Sequence, residues 1–186
     1  MVMTTKLYTA EDLWAMPGDE PWEIWEGELR TVPSAGGRAS RVASRISSRI
    51  DQYLERHNLG IVTGADGSYV LREPGTVVVP DVAFVSWDRL PDGDVPVKYI
   101  AIPPDLAVEV QSPTDEPRDM SRKRELYADA GVPLLWWVNP DTRTVAIYRF
   151  GELAEVLSEC DTLDGGDVLP GLSIAVSDIF PLLRPR

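Results

Sequence analysis

Hydrophobic positions along the chain change from the spacing of a helix to that of strands and back. In residues 39–57, the apolar side chains Val42, Ile46, Ile50 and Tyr53 recur three or four positions apart. This spacing places them on one side of a helix, so the segment is predicted to be an amphipathic helix.

Other segments complete the pattern. A short helix is predicted over 9–15, where Thr9 and Asp12 have the spacing of a capping box. A third helix is predicted over 118–130, where Gly131 and Pro133 stop it. Strand-like runs, several of them bounded by turn residues, are predicted at 22–32 (a hairpin), 59–63, 68–72, 77–86 (broken by Pro80), 105–111, 134–138, 144–150 and 151–167 (an exposed, acidic hairpin). A closing segment over 172–183 is predicted to end in a short helix. This order predicts an α+β or mixed α/β fold.

Length and composition are those of one globular domain, predicted to span 1–186. The chain is 44% apolar and has six tryptophans and six tyrosines, enough for a full core. No apolar run reaches the about 18–20 residues of a membrane span, so no membrane association is expected. The single cysteine, Cys160, excludes an internal disulfide and fits a reducing, cytoplasmic setting.

The net charge of −12 argues against nucleic-acid binding by the whole surface, but the cations are clustered. One group forms a second stripe on the predicted long helix: Arg38, Arg41, Arg45 and Arg49. Another lies on the helix predicted over 118–130: Arg118, Arg122, Lys123 and Arg124. The stripe on the long helix is either an ordinary solvated face or a surface that contacts phosphate groups or a second copy of the chain.

Two carboxylates stand in strand-like apolar surroundings. Asp81 follows Pro80 at the head of an apolar run, and Glu109 lies between valines. Burying such a charge is costly unless a cation compensates it, and two of them on neighbouring strands beside Lys123 suit a Mg²⁺ or Mn²⁺ site. These residue types suit phosphodiester hydrolysis. Asp81 as a turn cap, Glu109 as a buried ion-pair partner and Lys123 as a solvated side chain remain alternatives.

Four segments together resemble the Uma-two (Uma2) family of restriction-endonuclease-like proteins, in the PD-(D/E)XK nuclease superfamily. They read WEIWEGEL, TVVVPDVAFVS, PPDLAVEVQSPTDEPRDMSRKRELYADAGVPLLWWVNPDTRTVAIYR and LPGLSIAVSDIF, in the family's order over nearly the whole chain. The resemblance implies a restriction-endonuclease-like fold, with a central mixed sheet flanked by helices and an N-terminal hairpin. It also implies a DNA endonuclease dependent on Mg²⁺ or Mn²⁺.

The resemblance implies roles for individual residues. Asp81 matches the first acid of the motif and Glu109 the second, so both are expected to bind the metal. The usual lysine position holds Gln111, and the family takes its lysine from the following helix, which carries over to Lys123.

The first hairpin and the start of the long helix complete the comparison. Glu28 and Glu23 match acidic positions of the family, and Glu28 is expected to be the catalytic one. Relatives often carry a histidine about where Ala39 stands. DNA is the expected substrate, with Arg38, Arg41, Arg45, Arg49 and Arg122 as candidate contacts, and a homodimer is expected. The alternatives are a catalytically weak or inactive module that binds nucleic acid or acts in regulation, and a structural dimer.

Overall fold

The structure is a computed structural model, and it describes residues 6–17 and 22–180. The strands of this part of the chain are β1 (Trp22–Trp25), β2 (Glu28–Thr31), β3 (Gly60–Gly64), β4 (Tyr69–Arg72), β5 (Thr76–Val78), β6 (Val82–Ser86), β7 (Leu106–Val110), β8 (Leu134–Asn139), β9 (Thr144–Arg149), β10 (Glu152–Leu157), β11 (Thr162–Gly165) and β12 (Leu169–Ala175). The helices are α1 (Ala10–Trp14), α2 (Gly37–His57), α3 (Pro117–Asp129) and α4 (Val176–Ile179), with short 3-10 segments at Trp87–Arg89 and Pro91–Gly93.

A six-stranded mixed sheet forms the centre, in the order β10-β9-β8-β7-β6-β3. Strands β7 and β8 run parallel, connected through α3, whereas the other neighbours are antiparallel. A four-stranded sheet in the order β2-β1-β5-β4 contains the N-terminal hairpin, and β11 pairs with β12. The predicted fold class, a central mixed sheet flanked by helices, is confirmed.

The long helix covers one face of the central sheet. Its apolar stripe, including Val42, Ile46 and Ile50, is buried in one cluster with Val82 and Val108 of the sheet. The helix begins two residues before the predicted 39–57 and ends at His57 as predicted. The second stripe of this helix, which carries the arginines, is therefore left outside the core.

The helix α3 covers the opposite face of the central sheet. Its buried residues Leu126 and Tyr127 pack in a cluster with Ala83, Ala107 and Trp137. Side chains two positions apart on a strand point to the same face. Asp81 lies two positions from Ala83, and Glu109 two positions from Ala107, so both acids belong to the α3 face. The candidate site therefore forms between α3 and the sheet.

Two short helices also match the sequence pattern. Thr9 caps α1, and Asp12 completes the capping box by accepting the backbone N–H of Thr9. Helix α4 confirms the predicted short C-terminal helix, although the predicted end of that segment at Leu183 lies outside the described residues.

One predicted element is wrong, because residues 151–167 do not form a hairpin. Strand β10 pairs with β9, and β11 pairs with β12. The chain reverses before β10 at Gly151, and Leu163 on β11 is fully buried in the cluster beneath α2. Because Leu163 is buried in the core, the second half of the segment pairs with β12 and not with the first half, although residues 151–167 are rich in acids.

The tryptophan pair is part of the core. Trp136 is fully buried on the α2 face, and Trp137 is 8% exposed on the α3 face. The tryptophan-rich segment therefore does not supply an exposed interface. No helix in the described ranges has the length and apolar character that a membrane crossing requires.

Candidate active site

Asp81 and Glu109 lie side by side on the α3 face. Strands β6 and β7 are antiparallel, with Val82 opposite Val108 and Ala83 opposite Ala107. One step further along the same register places Asp81 opposite Glu109. Side chains at directly opposite positions share a face, with Cβ atoms about 4.5–5.5 Å apart.

Each of these two carboxylates is anchored through one oxygen. Asp81 Oδ2 accepts the backbone N–H of Val110 at 2.7 Å. Glu109 Oε1 accepts the hydroxyl of Tyr127 at 2.5 Å and also contacts Lys123. Within the described part of the chain, Asp81 Oδ1 and Glu109 Oε2 have no hydrogen bond or ion pair, so each side chain keeps one oxygen for a ligand.

Lys123 connects the sheet to the N-terminal hairpin. Its ammonium lies 2.9 Å from Glu109 Oε1 and 2.9 Å from Glu23 Oε1. Helix α3 follows β7 closely, so a lysine in its second turn can reach back to the strand end. Lys123 therefore contacts the strand carboxylate Glu109, as expected, and also Glu23. Its side chain is only 13% exposed.

The hairpin acid in the site is Glu23, and the expected Glu28 is not brought into it. Glu23 is 3% exposed and also accepts the backbone N–H of Val79 and the indole N–H of Trp25. Glu28 lies next to the hairpin turn, has a 70% exposed side chain and pairs only loosely with Arg30 at 4.0 Å. The position of each strand decides between them, because β1 lies between β5 and β2, whereas β2, which carries Glu28, is the edge strand of this sheet.

Burial dominates the electrostatics of the site. It raises the pKa of Glu109 to about 8, since Lys123 and Tyr127 only partly offset it and Asp81 adds to it. Burial also raises the pKa of Asp81. For Lys123 burial acts in the lowering direction, but the carboxylates of Glu109 and Glu23 outweigh it and raise the pKa of the ammonium above its usual range. The lysine stays protonated, and ionisation of Glu109 is disfavoured by its burial.

These side chains line a cavity of about 370 Å³, called here the carboxylate cavity. Asp81, Glu109, Glu23 and Lys123 contribute to it, and the segment 30–35 borders it together with residues 111–116. The free oxygens of Asp81 and Glu109 are the hard ligands that Mg²⁺ and Mn²⁺ accept. No group of three or more His, Cys, Asp or Glu side chains in the described ranges is placed to hold a metal. Water or phosphate oxygens must therefore complete a metal's coordination here.

Three of the candidate DNA contacts are already paired with acids. Arg38 pairs with Asp141, Arg49 with Asp178, and Arg122 with Glu26 and Glu125. The other two, Arg41 and Arg45, have no ion pair or hydrogen bond in the described part of the chain.

The arginine stripe is not brought next to the carboxylates. Helix α2 lies on the opposite face of the sheet, and the carboxylate cavity is lined by Ala35, which precedes the helix, and by no residue of the helix itself. Arg49 is about 16 Å along the helix axis from Arg38, at 1.5 Å per residue. Any contact between DNA and this stripe must therefore pass around the edge of the sheet.

Tyr127 is the site residue that sequence reasoning missed. It lies four positions after Lys123, so both project from the same side of α3 toward Glu109. That spacing is the signal that could have identified it. Gln111 has a structural contact, since its side-chain oxygen accepts an N–H of Asn139 at 2.9 Å.

Comparisons with known proteins identify the family and the fold of the chain. The model of the family described as "Uma2: Putative restriction endonuclease" matches residues 10–177. No curated protein matches the chain. A crystal structure from Anabaena variabilis, described as a putative nuclease belonging to DUF820, superposes with a TM-score of 0.77 at 21% identity, covering 92% of this chain and 97% of that chain. That likeness supports the fold. The family match extends over nearly all of the described residues, and the chain therefore belongs to the Uma2 family of restriction-endonuclease-like proteins.

Proposed function

We propose that this protein is a DNA endonuclease that hydrolyses phosphodiester bonds with Mg²⁺ or Mn²⁺. The observation that carries the proposal is the pair of half-buried Asp81 and buried Glu109, each with one anchored and one free oxygen, beside the protonated Lys123. Membership of the Uma2 family supports the nuclease assignment.

Asp81, Glu109 and Lys123 have different roles in the proposed reaction. Asp81 and Glu109 would hold the divalent cation through their free oxygens, and a bound cation polarises a phosphodiester and lowers the pKa of a water ligand. Lys123 has three N–H donors, two of which are directed at Glu109 and Glu23. The third can donate to a phosphate oxygen in the cavity and stabilise the charge that develops on it.

Glu23 and Tyr127 act as positioning residues. Glu23 receives two further hydrogen bonds besides Lys123, so it serves as a fixed anchor for the ammonium. Tyr127 donates to the Glu109 oxygen that Lys123 also contacts, which directs the other Glu109 oxygen toward a ligand. Neither residue needs to touch the substrate.

The competing proposal is a non-catalytic module that binds nucleic acid or acts in regulation. One observation favours it, since Lys123 already partly neutralises Glu109. The family resemblance also implies a histidine about where Ala39 stands. Ala39 is buried against the core, where its methyl group offers no polar contact. Metal binding and cleavage distinguish the two proposals.

We further propose that the protein is cytoplasmic. We also propose that it works as a homodimer, because cutting both strands of a duplex requires two sites, which a two-fold dimer supplies. The single exposed cysteine, Cys160, fits a reducing compartment.

Calorimetric titration with Mn²⁺ tests the metal site. The parent is expected to bind, and Asp81→Ala is expected to lose that binding, whereas the control Asp51→Ala, which removes an exposed acid on α2, should bind like the parent. Equal binding by the parent and Asp81→Ala would reject the assignment. Cleavage of varied DNA substrates with Mg²⁺ or Mn²⁺, and its loss with EDTA, then tests the activity. A parent that binds metal and cuts none of them supports the non-catalytic module.

A further inference from the structure

A second cavity lies beside the carboxylate cavity, between the first half of α3 and strands β8 and β9. Its volume is about 330 Å³. Gln111, Met120 and Trp137 line both cavities, so the two spaces adjoin. None of the described residues that line the second cavity is acidic, in contrast to the first.

The cation of this second cavity is Arg124. It is half-buried and forms no ion pair within the described residues, whereas Arg122, two positions earlier, pairs with two glutamates. Neutral oxygens hold it instead: its guanidinium donates to the hydroxyl of Tyr148 at 2.6 Å and to that of Ser121 at 3.1 Å. The guanidinium also lies 5.3 Å from the centre of the Tyr148 ring. A half-buried cation kept in place without a counter-charge is suited to an external anion.

Other groups around Arg124 also have donors to offer. The indole N–H of Trp137 is buried and has no acceptor within the described residues. The side-chain oxygen of Gln111 is used by Asn139, which leaves its NH₂ group without a recorded partner in that part of the chain. Tyr148 accepts from Arg124, so its own hydroxyl proton remains available. The cavity thus has several donors and a cation, and no carboxylate.

We propose that this second cavity is a phosphate-binding subsite, which receives a phosphate group of a nucleic-acid strand adjacent to the phosphate held at Asp81 and Glu109. Its assignment to a nucleic-acid strand rests on the proposed endonuclease function. Arg124 supplies the charge, and Gln111 and Tyr148 supply further hydrogen bonds. A strand bound in both cavities is fixed in register, because one phosphate is held by Arg124 while the next faces Lys123.

The lining of the second cavity distinguishes a phosphate from a nucleobase. A base presents donors and acceptors together on its edge and therefore requires both in its site. Apart from hydroxyl groups, the polar side-chain atoms left open here are donors, which match the acceptor-only oxygens of a phosphate. The aromatic walls, Trp137 and Tyr148, shield the charged contact from water.

The test uses the whole protein with EDTA, so that it does not depend on metal binding. The indole ¹H–¹⁵N signal of Trp137, identified by its loss in Trp137→Phe, is followed during titration with inorganic phosphate, thymidine 5′-monophosphate or thymidine. Both phosphate compounds are expected to shift this signal. Thymidine alone is expected to leave it unchanged.

Charge variants give the control. Arg124→Gln should weaken binding of thymidine 5′-monophosphate by about tenfold, the scale of a hydrogen bond to a charged group, and Arg124→Lys should retain part of the affinity. Arg72→Gln removes an exposed arginine that lines neither cavity and should bind like the parent. A lack of any phosphate-induced shift, or equal binding by Arg124→Gln and the parent, would overturn the proposal. A shift of equal size with thymidine would replace the phosphate site by a base pocket.

The outcome is separable from that of the proposed function. If the protein cuts no DNA but phosphate still shifts the Trp137 signal in an Arg124-dependent way, the subsite stands and the nuclease proposal fails. If the protein cuts DNA and phosphate shifts nothing, the nuclease proposal stands and the subsite is refuted.

Discussion

The ammonium of Lys123 lies 2.9 Å from Oε1 of Glu109, and both side chains are almost fully removed from solvent. The same ammonium is equally close to Glu23, so one buried cation serves two carboxylates, with Asp81 nearby as a third acid. The cluster therefore has more negative than positive groups once its acids ionise. This imbalance favours the entry of a further cation.

Lys123→Ala is expected to abolish DNA cleavage while Mn²⁺ binding at pH 9 changes little. In the proposed reaction the ammonium stabilises charge on the phosphate. Its loss removes a charge that repels the metal ion but also raises the pKa of Glu109, and these two effects on metal binding oppose each other. Cleavage and calorimetry on the same preparations check this. Full cleavage by the variant would show that the lysine assignment is wrong.

The same substitution is expected to lower the free energy of unfolding by about 3–5 kcal/mol, the usual cost of removing one partner of a buried pair. It leaves Glu23 and Glu109 without their cation. Urea unfolding measures the change. In the control Lys98→Ala, which breaks an exposed pair with Glu11, the change should be much smaller. Similar losses in both variants would contradict the burial argument.

Metal binding is expected to strengthen as pH rises through about 8. Burial raises the pKa of Glu109 to about 8, and a metal ligand must be deprotonated, so binding near pH 7 must release a proton. Calorimetry in two buffers of different ionisation enthalpy counts that proton, which should vanish well above pH 8. Binding of equal strength at pH 6 and pH 9 would be inconsistent with a role for Glu109.

Tyr127→Phe provides a companion test of the same titration. The Tyr127 hydroxyl lowers the pKa of Glu109, so its loss should move the pH midpoint of Mn²⁺ binding upward. Tyr99→Phe, which removes a hydroxyl bound to the exposed Glu11, should leave the midpoint unchanged. An unchanged midpoint in Tyr127→Phe would mean that the tyrosine does not influence the ligand.

Arg41→Ala is expected to weaken DNA binding and to reduce the slope of log affinity against log salt by about one unit. Arg41 is exposed and has no partner among the described residues, so its charge is available to a phosphate. Arg38→Ala should have a smaller effect, because Arg38 already pairs with Asp141. Arg122→Ala should also have a smaller effect, because Arg122 already pairs with Glu26 and Glu125. Fluorescence anisotropy over a salt series measures all three. Identical slopes in the parent and Arg41→Ala would exclude this stripe from the DNA interface.

A homodimer mass is expected from light scattering at tens of micromolar, with the outer edge of β10 as the interface. That edge strand exposes Leu153 and Val156 on the α3 face of the sheet, beside Phe150, and its outer backbone groups are free to pair. Val156→Lys should give a monomer, whereas Val97→Lys, in an exposed loop, should not. A monomeric parent would refute the homodimer, and a dimeric Val156→Lys would locate the interface elsewhere.

Local patterns in the sequence were enough to predict the helices and the approximate positions of most strands. The spacing of Val42, Ile46 and Ile50 predicted α2, and acids within apolar runs identified Asp81 and Glu109, because burying a charge is costly enough to require compensation. The family resemblance, and not the spacing, singled out Lys123 from its neighbouring arginines.

Features that depend on packing between distant parts of the chain could not be predicted from local sequence patterns. Glu23 and Glu28 occupy equivalent alternating positions of one hairpin, and only the docking of β1 beside β5 buries the first. The pairing of β10 with β9 was missed because its exposed acids are also typical of a free hairpin. Likewise, whether an arginine has an acid partner depends on side chains far away in sequence.

A hundred residues separate Glu23 from Lys123, although their side chains meet. Joining them closes a long loop, and contacts of such sequence separation generally form late in folding. During synthesis, a chain that has emerged only as far as β7 has Glu23 and Glu109 but lacks the cation that joins them. The proposed nuclease site thus assembles only after α3 has been made, and a shorter or partly unfolded copy lacks it.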